Sequence, residues 1–504
     1  MNTTYLHTML DGLDDFAEEQ LQRWKGVGLA VAVIHKDEVI WQKGYGYRDL
    51  ESKLEVTPHT LFAIGSSTKA FTASTAALLV DQNILEWDTP VRSYLKDFKM
   101  FDPVATERLT IRDMLCHRSG LPRHEMVWYN SPRSRAELVS ALQYLEPNED
   151  FRNKWQYQNL MYMAAGYLVG QLKGTSWENV VQESLFNPLG MNSSVFSVDE
   201  MQLQPDFAFP YMEKDGQNIR IPFRKIDAAG PAGSINSNLV DMIAWVQFHL
   251  NQGQQAGKQL ISKEQLAVMH SPQMVCDSLF HSKELPVSTY GLGWMIDSYR
   301  GHAMIHHGGA IDGFASQVAF LPEEQIGVVV LCNTNGSVVP YTTTFNIMDR
   351  LLGLEPLDWS GKLTKLMNGE STESETTASA SENPGALEAT EATETAAAGD
   401  NTEEPQVHPH DRPVTAYTGI YTHPGYGELT IEQTNEGLQT IFNAIEMPME
   451  YTGKDTFAVE LVLFGLKLTF TFKTDEQDSI NALSIPLLLE PGTKPIEFIK
   501  SPIV

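Results

Sequence analysis

Gly65-Ser66-Ser67-Thr68-Lys69 sets a serine hydroxyl and a lysine amine three residues apart at the head of the apolar run Ala70 to Val80. Positions i and i+3 of a helix share a face, so the amine can reach the hydroxyl it would deprotonate. Serine is a weak nucleophile near neutral pH, and a lysine activates it only where burial or cationic neighbours lower the amine pKa. The apolar flanks, Leu61-Phe62-Ala63-Ile64 and Phe71 to Val80, supply that burial. By itself the pattern is unspecific. Ser93-Tyr94-Leu95-Lys96 also fits it, between Asp88-Thr89-Pro90 and a charged stretch where both groups are expected to be solvated. A capping serine beside a snorkelling lysine would satisfy the same spacing at positions 66 and 69.

Two further patterns follow in chain order. Tyr157-Gln158-Asn159 precedes the helical run Leu160 to Gln171 and offers a phenol and a carboxamide at a helix mouth. A phenol with its pKa depressed by Lys69 would relay a proton to or from Ser66, and the amide would hold a substrate carbonyl. The alternative is a core tyrosine followed by an N-capping asparagine. His306-His307-Gly308-Gly309 ends an expected strand, and its glycines let the backbone approach a ligand and present an amide to an oxyanion. A metal site from His302, His306 and His307 is disfavoured, because residues 306 and 307 point to opposite faces of a strand and no His-Glu-x-x-His motif accompanies them. Neither metal nor cofactor is called for. Lys214-Asp215-Gly216 reads as a hairpin turn.

The elements that must position these groups are legible in outline. Apolar spacing predicts a helix from about Leu6 to Trp24, a buried strand over Val27 to Ile34, the turn His35-Lys36-Asp37-Glu38 and a second strand from Val39 to Gly46. A largely helical stretch extends from the Ser66 helix to about residue 200. Strand patterns return at Met304 to His307, Ser316 to Leu321 and Ile326 to Cys332, before a helix near Thr342 to Leu352. The expected class is α+β: one antiparallel sheet assembled from both ends of the region, flanked by helices, with an all-helical insertion. Residues 1–360 are read as the domain carrying the chemistry. Residues 361–411 are read as an acidic disordered linker, since Leu366 to Asp411 lacks Lys and Arg and is dominated by Glu, Thr, Ser and Ala. Residues 412–504 alternate apolar and polar in short runs and are read as a small all-β domain, barrel or sandwich.

Composition narrows the class. A net charge of −28 over 504 residues argues against nucleic acid or an anionic membrane surface as partner, since both need a basic face. Cys116, Cys276 and Cys332 are too far apart in sequence for a Cys-x-x-Cys motif, so they read as reduced core thiols. Met1 to Gln22 lacks the basic and apolar regions of a secretion signal, and no apolar run reaches the roughly 18 residues of a membrane span. The expected location is the cytoplasm, the expected partner a small molecule or short peptide, and a homo-oligomer is left open.

Taken together, Ser-x-x-Lys, Tyr-x-Asn and His-x-Gly, at spacings of about 90 and 150 residues, resemble the serine β-lactamase and penicillin-binding-protein superfamily in its class C β-lactamase-like branch. The stretches Leu115-Cys116-His117-Arg118-Ser119-Gly120-Leu121-Pro122, Asn187-Pro188-Leu189-Gly190-Met191, Tyr290-Gly291-Leu292-Gly293-Trp294 and Gly313-Phe314 leading to Leu331-Cys332-Asn333 look like landmarks of the same family. The resemblance covers roughly residues 10 to 355. It implies that Ser66 is acylated, that Lys69 and Tyr157 share the proton transfers, that Asn159 contacts substrate or Lys69, and that amides of Ser66 and Gly309 form an oxyanion hole beside Gly308. No Gly-x-Ser-x-Gly elbow competes with this reading. The departure falls at His306, where β-lactamases of the family usually carry the lysine of Lys-Thr-Gly. Histidine lacks that permanent charge. The variant resembles esterases and D-amino-acid peptidases of the family, some of which carry an added lipocalin-like C-terminal barrel. A serine hydrolase of small peptides or esters is therefore expected, with a β-lactamase or penicillin-binding protein, or a catalytically silent binding protein, as alternatives.

Overall fold

The computed structural model describes residues 3–277, 282–367, 412–462 and 465–502. The β-branched and small apolar residues of β1 (Gly28–His35) are buried at every position but the last, as in a strand covered on both faces. A turn at His35 to Glu38 reverses the chain into β2 (Glu38–Asp49), with the short β3 (Leu54–Glu55) beside it. The remaining strands come from far along the chain: β4 (Met274–Cys276), β5 (Ser288–Tyr290), β6 (Met295–Tyr299), β7 (His302–Ile311), β8 (Phe314–Leu321) and β9 (Ile326–Cys332). They form one nine-stranded sheet in the order β4-β5-β6-β7-β8-β9-β1-β2-β3. The two ends of the region meet where β1 lies antiparallel to β9, with Leu29 opposite Cys332 and Ala32 opposite Val329.

Four helices matter most to the site: α1 (Leu13–Arg23), α2 (Thr68–Asp81), α3 (Asn159–Lys173) and α4 (Val339–Leu351). The period-2 alternation of β1 divides them. Leu29, Val31 and Val33 share a core with Leu13 and Leu21 of α1 and with Phe345 and Ile347 of α4. Ala30, Ala32 and Ile34 face the other way, into a core with Phe71 and Ala77 of α2 and Leu168 of α3. The N-terminal helix expected as one piece is broken by Gly12, at φ 80°, into Thr3–Met9 and α1. Strands β4 to β6 lie outside the expected strand patterns, because three to five residues of mixed polarity carry too little periodicity to register.

The insertion between β3 and β4 is mainly helical but not wholly so. Phe62–Ala63 pairs with Asn236–Ser237, and Tyr211–Lys214 pairs with Gln217–Arg220 around a turn in which Asp215 and Gly216 have φ of 51° and 83°. Ordered chain continues past residue 360 in a helix over Trp359–Met367, whose Trp359 packs on Phe345 of α4 at 4.7 Å between ring centroids. Most of the expected linker, residues 368–411, lies outside the described residues. The C-terminal all-β region is a closed eight-stranded barrel running in chain order from Gly419–His423 to Ile496–Lys500, sealed by pairing Tyr421 with Lys500. Closure removes the exposed edges that a sandwich would leave. Among the described residues no helix is long and apolar enough to cross a membrane.

Candidate active site

Ser66 sits on a one-turn 3₁₀ segment, Gly65–Ser67, that leads into α2. Gly65 has φ 50°, and a Cβ there would come within 2.7 Å of the Ala310 amide nitrogen, so the turn that aims Ser66 needs glycine on both conformational and steric grounds. The turn is stapled to the sheet: Ser316 Oγ donates to Ile64 O at 2.8 Å, and Ser67 Oγ donates to His307 O at 3.2 Å.

One helical turn on, Lys69 Nζ lies 3.1 Å from Ser66 Oγ, 2.7 Å from Asn159 Oδ1 and 2.8 Å from Ala232 O. The residue is fully buried. Loss of hydration, aided by the nearby Arg123 guanidinium and opposed by Glu125, holds the amine pKa well below its ordinary value. A neutral amine has two N–H groups and one lone pair. The two acceptor oxygens match the N–H groups, and the Ser66 hydroxyl can donate to the lone pair. The decoy pair is different: Ser93 and Lys96 are both exposed.

Tyr157 and Asn159 are brought to this point by a brace from the Leu115 to Pro122 stretch. Gln156 N donates to His117 O, Gln158 N donates to His117 Nδ1, and Gln158 Nε2 donates to Pro122 O. Gln158 is itself the cap of α3, its Oε1 accepting from Leu160 N at 2.7 Å. Asn159 is thereby released from capping, and its Nδ2 donates to Glu125 at 3.3 and 3.4 Å. The Tyr157 ring centroid is 4.6 Å from Lys69 Nζ. Its phenol oxygen is buried and makes no hydrogen bond of acceptable geometry, although the Ser66 hydroxyl is close enough to draw its pKa down. Burial outweighs that pull and raises the phenol pKa, contrary to the depressed phenol that the sequence reading invoked. Tyr157 is therefore a neutral O–H donor in this arrangement.

The two histidines of β7 separate as strand geometry requires. His306 faces away from Ser66, with Nε2 2.9 Å from Asp297 Oδ2 and Nδ1 2.9 Å from Gln317 Nε2. His307 is the one on the site face. Its Nε2 is 2.9 Å from Tyr290 Oη, its ring is 6.3 Å from that of Tyr157, and its pKa is pushed down to about 3 by burial and by Lys69. Both His306-His307-Gly308 and His307-Gly308-Gly309 satisfy His-x-Gly, and the side-chain direction selects the second. Gly308 faces Tyr341 on the far side of the sheet. Gly309 lies on the site face, where a Cβ would stand 1.9 Å from Ile64 O.

Sequence reasoning missed four contributors: His307, Ala232 O, Arg123 and Glu125. The parity of β7 could have found His307. The other three carry no local signal, since they reach the site from two segments far from Ser66 in the chain, Arg123 and Glu125 from one and Ala232 from the other. Arg123 Nε is 2.9 Å from Glu125 Oε1, and its guanidinium lies 5.2 Å from the Tyr157 ring centroid.

Comparison with known proteins agrees with this architecture. Residues 13–349 match the family model described as Beta-lactamase, and residues 403–500 match one described as a domain of unknown function, DUF3471. An unguisins hydrolase of Aspergillus campestris is 31% identical over 442 residues, covering 84% of this chain and 78% of that protein. Another, from Aspergillus violaceofuscus, is 30% identical over 460 residues, covering 84% and 77%. The structure of an octameric penicillin-binding protein homologue from Pyrococcus abyssi is similar at a TM-score of 0.61 and 20% identity, over 97% of this chain and all of that one.

Proposed function

Since the chain belongs to the beta-lactamase family, we propose that it is a serine hydrolase cleaving a small peptide or ester through an acyl-enzyme on Ser66. The observation that carries this reading is the 3.1 Å approach of a fully buried Lys69 amine to the Ser66 hydroxyl. Neutral Lys69 takes the Ser66 proton while its N–H groups stay on Asn159 Oδ1 and Ala232 O. Ser66 Oγ adds to the substrate carbonyl, and the oxyanion is met by amides of Ser66 and the Gly309–Ala310 stretch. Tyr157 gives its proton to the leaving nitrogen or oxygen and recovers one from Lys69. Water then hydrolyses the acyl ester by the reverse relay.

Residues 1–360 are taken as the catalytic unit and 412–504 as the barrel domain. The neutrality of His307 supports peptides or esters over β-lactams, because the site face of β7 offers no permanent cation for a substrate carboxylate. Relatives named as hydrolases support cleavage as the activity. Three free, buried thiols support a reducing, cytoplasmic setting.

A fluorophosphonate probe followed by mass spectrometry is expected to place its adduct on Ser66. Labelling that persists in Ser66→Ala would refute the assignment. Nitrocefin serves as the counter-assay: turnover rivalling that of p-nitrophenyl esters and D-amino-acid p-nitroanilides would return the reading to a β-lactamase.

A further inference from the structure

The C-terminal barrel grips the loop segment that walls the Ser66 site. The segment from Pro122 to Arg133 carries Arg123 and Glu125 toward Tyr157 and Asn159. On its outer side it is held by three parts of the barrel domain. Glu490, in the turn Glu490-Pro491-Gly492, accepts from the Arg123 backbone N–H at 2.6 Å. Tyr426 Oη lies 2.7 Å from the buried His124 Nδ1. Asn443, at the tip of a barrel hairpin, donates through Nδ2 to Met126 O at 2.6 Å and Tyr129 O at 3.0 Å, while Asn130 Nδ2 donates to Asn443 O at 2.6 Å. Met126 and Tyr129 lie within and just beyond the one-turn helix Glu125–Trp128, which is too short to pair its own terminal carbonyls.

The backbone is left-handed on both sides of this junction. His124 has φ 49°, and Asn443 and Ala444 have φ of 50° and 57°. At Asn443 and Ala444 this is what the two-residue turn between Phe442 and Ile445 requires, and it sets the Asn443 side chain at the tip of the hairpin. The His124 kink turns Arg123 and Glu125 inward together. From there a continuous polar chain leads to the nucleophile: Arg123 Nε to Glu125 Oε1 at 2.9 Å, Asn159 Nδ2 to Glu125 at 3.3 and 3.4 Å, Lys69 Nζ to Asn159 Oδ1 at 2.7 Å, and Lys69 Nζ to Ser66 Oγ at 3.1 Å.

We propose that the barrel is a working part of the active site: through Glu490 and Asn443 it holds residues 122–133 so that Glu125 acts as the positioning residue for Asn159 and, through it, for Lys69. The inference rests on the serine-hydrolase reading of Ser66 and Lys69. Glu125 orients the Asn159 amide by accepting from Nδ2, which leaves Oδ1 facing Lys69. Its charge also balances Arg123. The charged and titratable groups facing Lys69 are Arg123, Glu125, Tyr157, Tyr162, His117 and His307. Burial keeps the two histidines neutral and the two tyrosines protonated, so Arg123 and Glu125 are the fixed charges of the set.

The test uses the full chain, p-nitrophenyl butyrate turnover and the rate of fluorophosphonate labelling across pH. Glu490→Ala and Asn443→Ala are expected to lower kcat by about tenfold with KM within about twofold, through loss of alignment. Glu490→Gln, which keeps an acceptor for the Arg123 N–H, is expected to restore most of that loss. Glu125→Gln should move the acid limb of kcat/KM to lower pH by about half a unit or more, and Arg123→Gln should move it to higher pH, because the two charges act on Lys69 in opposite senses. Circular dichroism and the melting temperature report on folding in parallel. Unchanged kcat and acid limbs in all these variants, with turnover abolished in Ser66→Ala, would overturn the inference and leave the hydrolase reading intact. Losses that only track a reduced folded fraction, without a shifted limb, would also overturn it. Turnover that survives Ser66→Ala would remove the hydrolase reading and the inference with it.

Discussion

The proposed mechanism asks Lys69 to be both a buried group and a base, and its surroundings suit the two demands. Burial removes the hydration that favours the ammonium form, and the three nearest oxygens offer what a neutral amine can use. Lys69→Met keeps the apolar stem and removes the base, so kcat for p-nitrophenyl butyrate is expected to fall by about 10³-fold or more, with far-ultraviolet circular dichroism unchanged. In the unsubstituted protein, kcat/KM should rise as pH passes the lowered Lys69 pKa, well below the alkaline range of a solvated lysine. Ser66, Lys69, Tyr157 and Asn159 were legible in the sequence because each pair lies within one helical turn or one short motif. His307 was not distinguished from His306, since adjacent strand residues face opposite ways and both fit His-x-Gly. Arg123 and Glu125 were illegible because their partners, Tyr157 and Asn159, lie more than thirty residues on, across a loop that no periodicity describes.

Between the elements, the decisive contact is the seating of the Ser66 turn against β7. Gly309 is the point of closest approach, and a Cβ there would overlap Ile64 O at 1.9 Å and Ser316 Oγ at 2.5 Å. Since Ile64 O is backbone, the turn has to move as a body. Gly309→Ala is expected to displace Ser66 from the strand amides, costing about 10²-fold in kcat and about 1–3 kcal/mol of stability. Steady-state kinetics and urea unfolding check the two effects separately, and a variant with unchanged kcat would show that the seat is not needed. The main sheet was foreseen where strands are long and apolar, as in β1, β8 and β9. Its outer strands β4 to β6 were missed because their burial comes from what packs on them rather than from their own composition.

Across the whole molecule, several histidines are buried without charge. His249 and His270 lie among Trp245, Trp294 and Phe320, and both nitrogens of His249 lack hydrogen-bond partners. Burial pushes His270 down to about 3, His124 down to about 4, and His117 and His249 well below the ordinary value. A depressed folded-state pKa means that only the unfolded chain takes up the proton just below pH 6.5. Stability is therefore complete above that pH and falls as pH drops toward about 3, by up to roughly 1.4 kcal/mol per pH unit for each such histidine. Urea midpoints at pH 7 and pH 5 should show the loss, and His249→Phe should flatten the slope by about one proton. The domain junction has its own signature. Tyr426→Phe leaves His124 Nδ1 unpaired in a buried site and is expected to cost about 1–3 kcal/mol, read as a lower calorimetric transition.

Much about this protein was already determined by its sequence: the pairing of Ser66 with Lys69, the helix that bears them, the strands that build the central sheet, and the change of character into an all-β C-terminal region. Those features depend on interactions between residues close in the chain, where spacing, periodicity and side-chain chemistry act directly. Tertiary structure alone decided that His307 rather than His306 faces the site, that the Tyr157 phenol is held protonated, and that the barrel lies against the segment carrying Arg123 and Glu125. These depend on burial and on contacts between distant segments. Desolvation sets the charge states, and the packing of Glu490, Asn443 and Tyr426 against residues 122–133 exists only once both domains have folded.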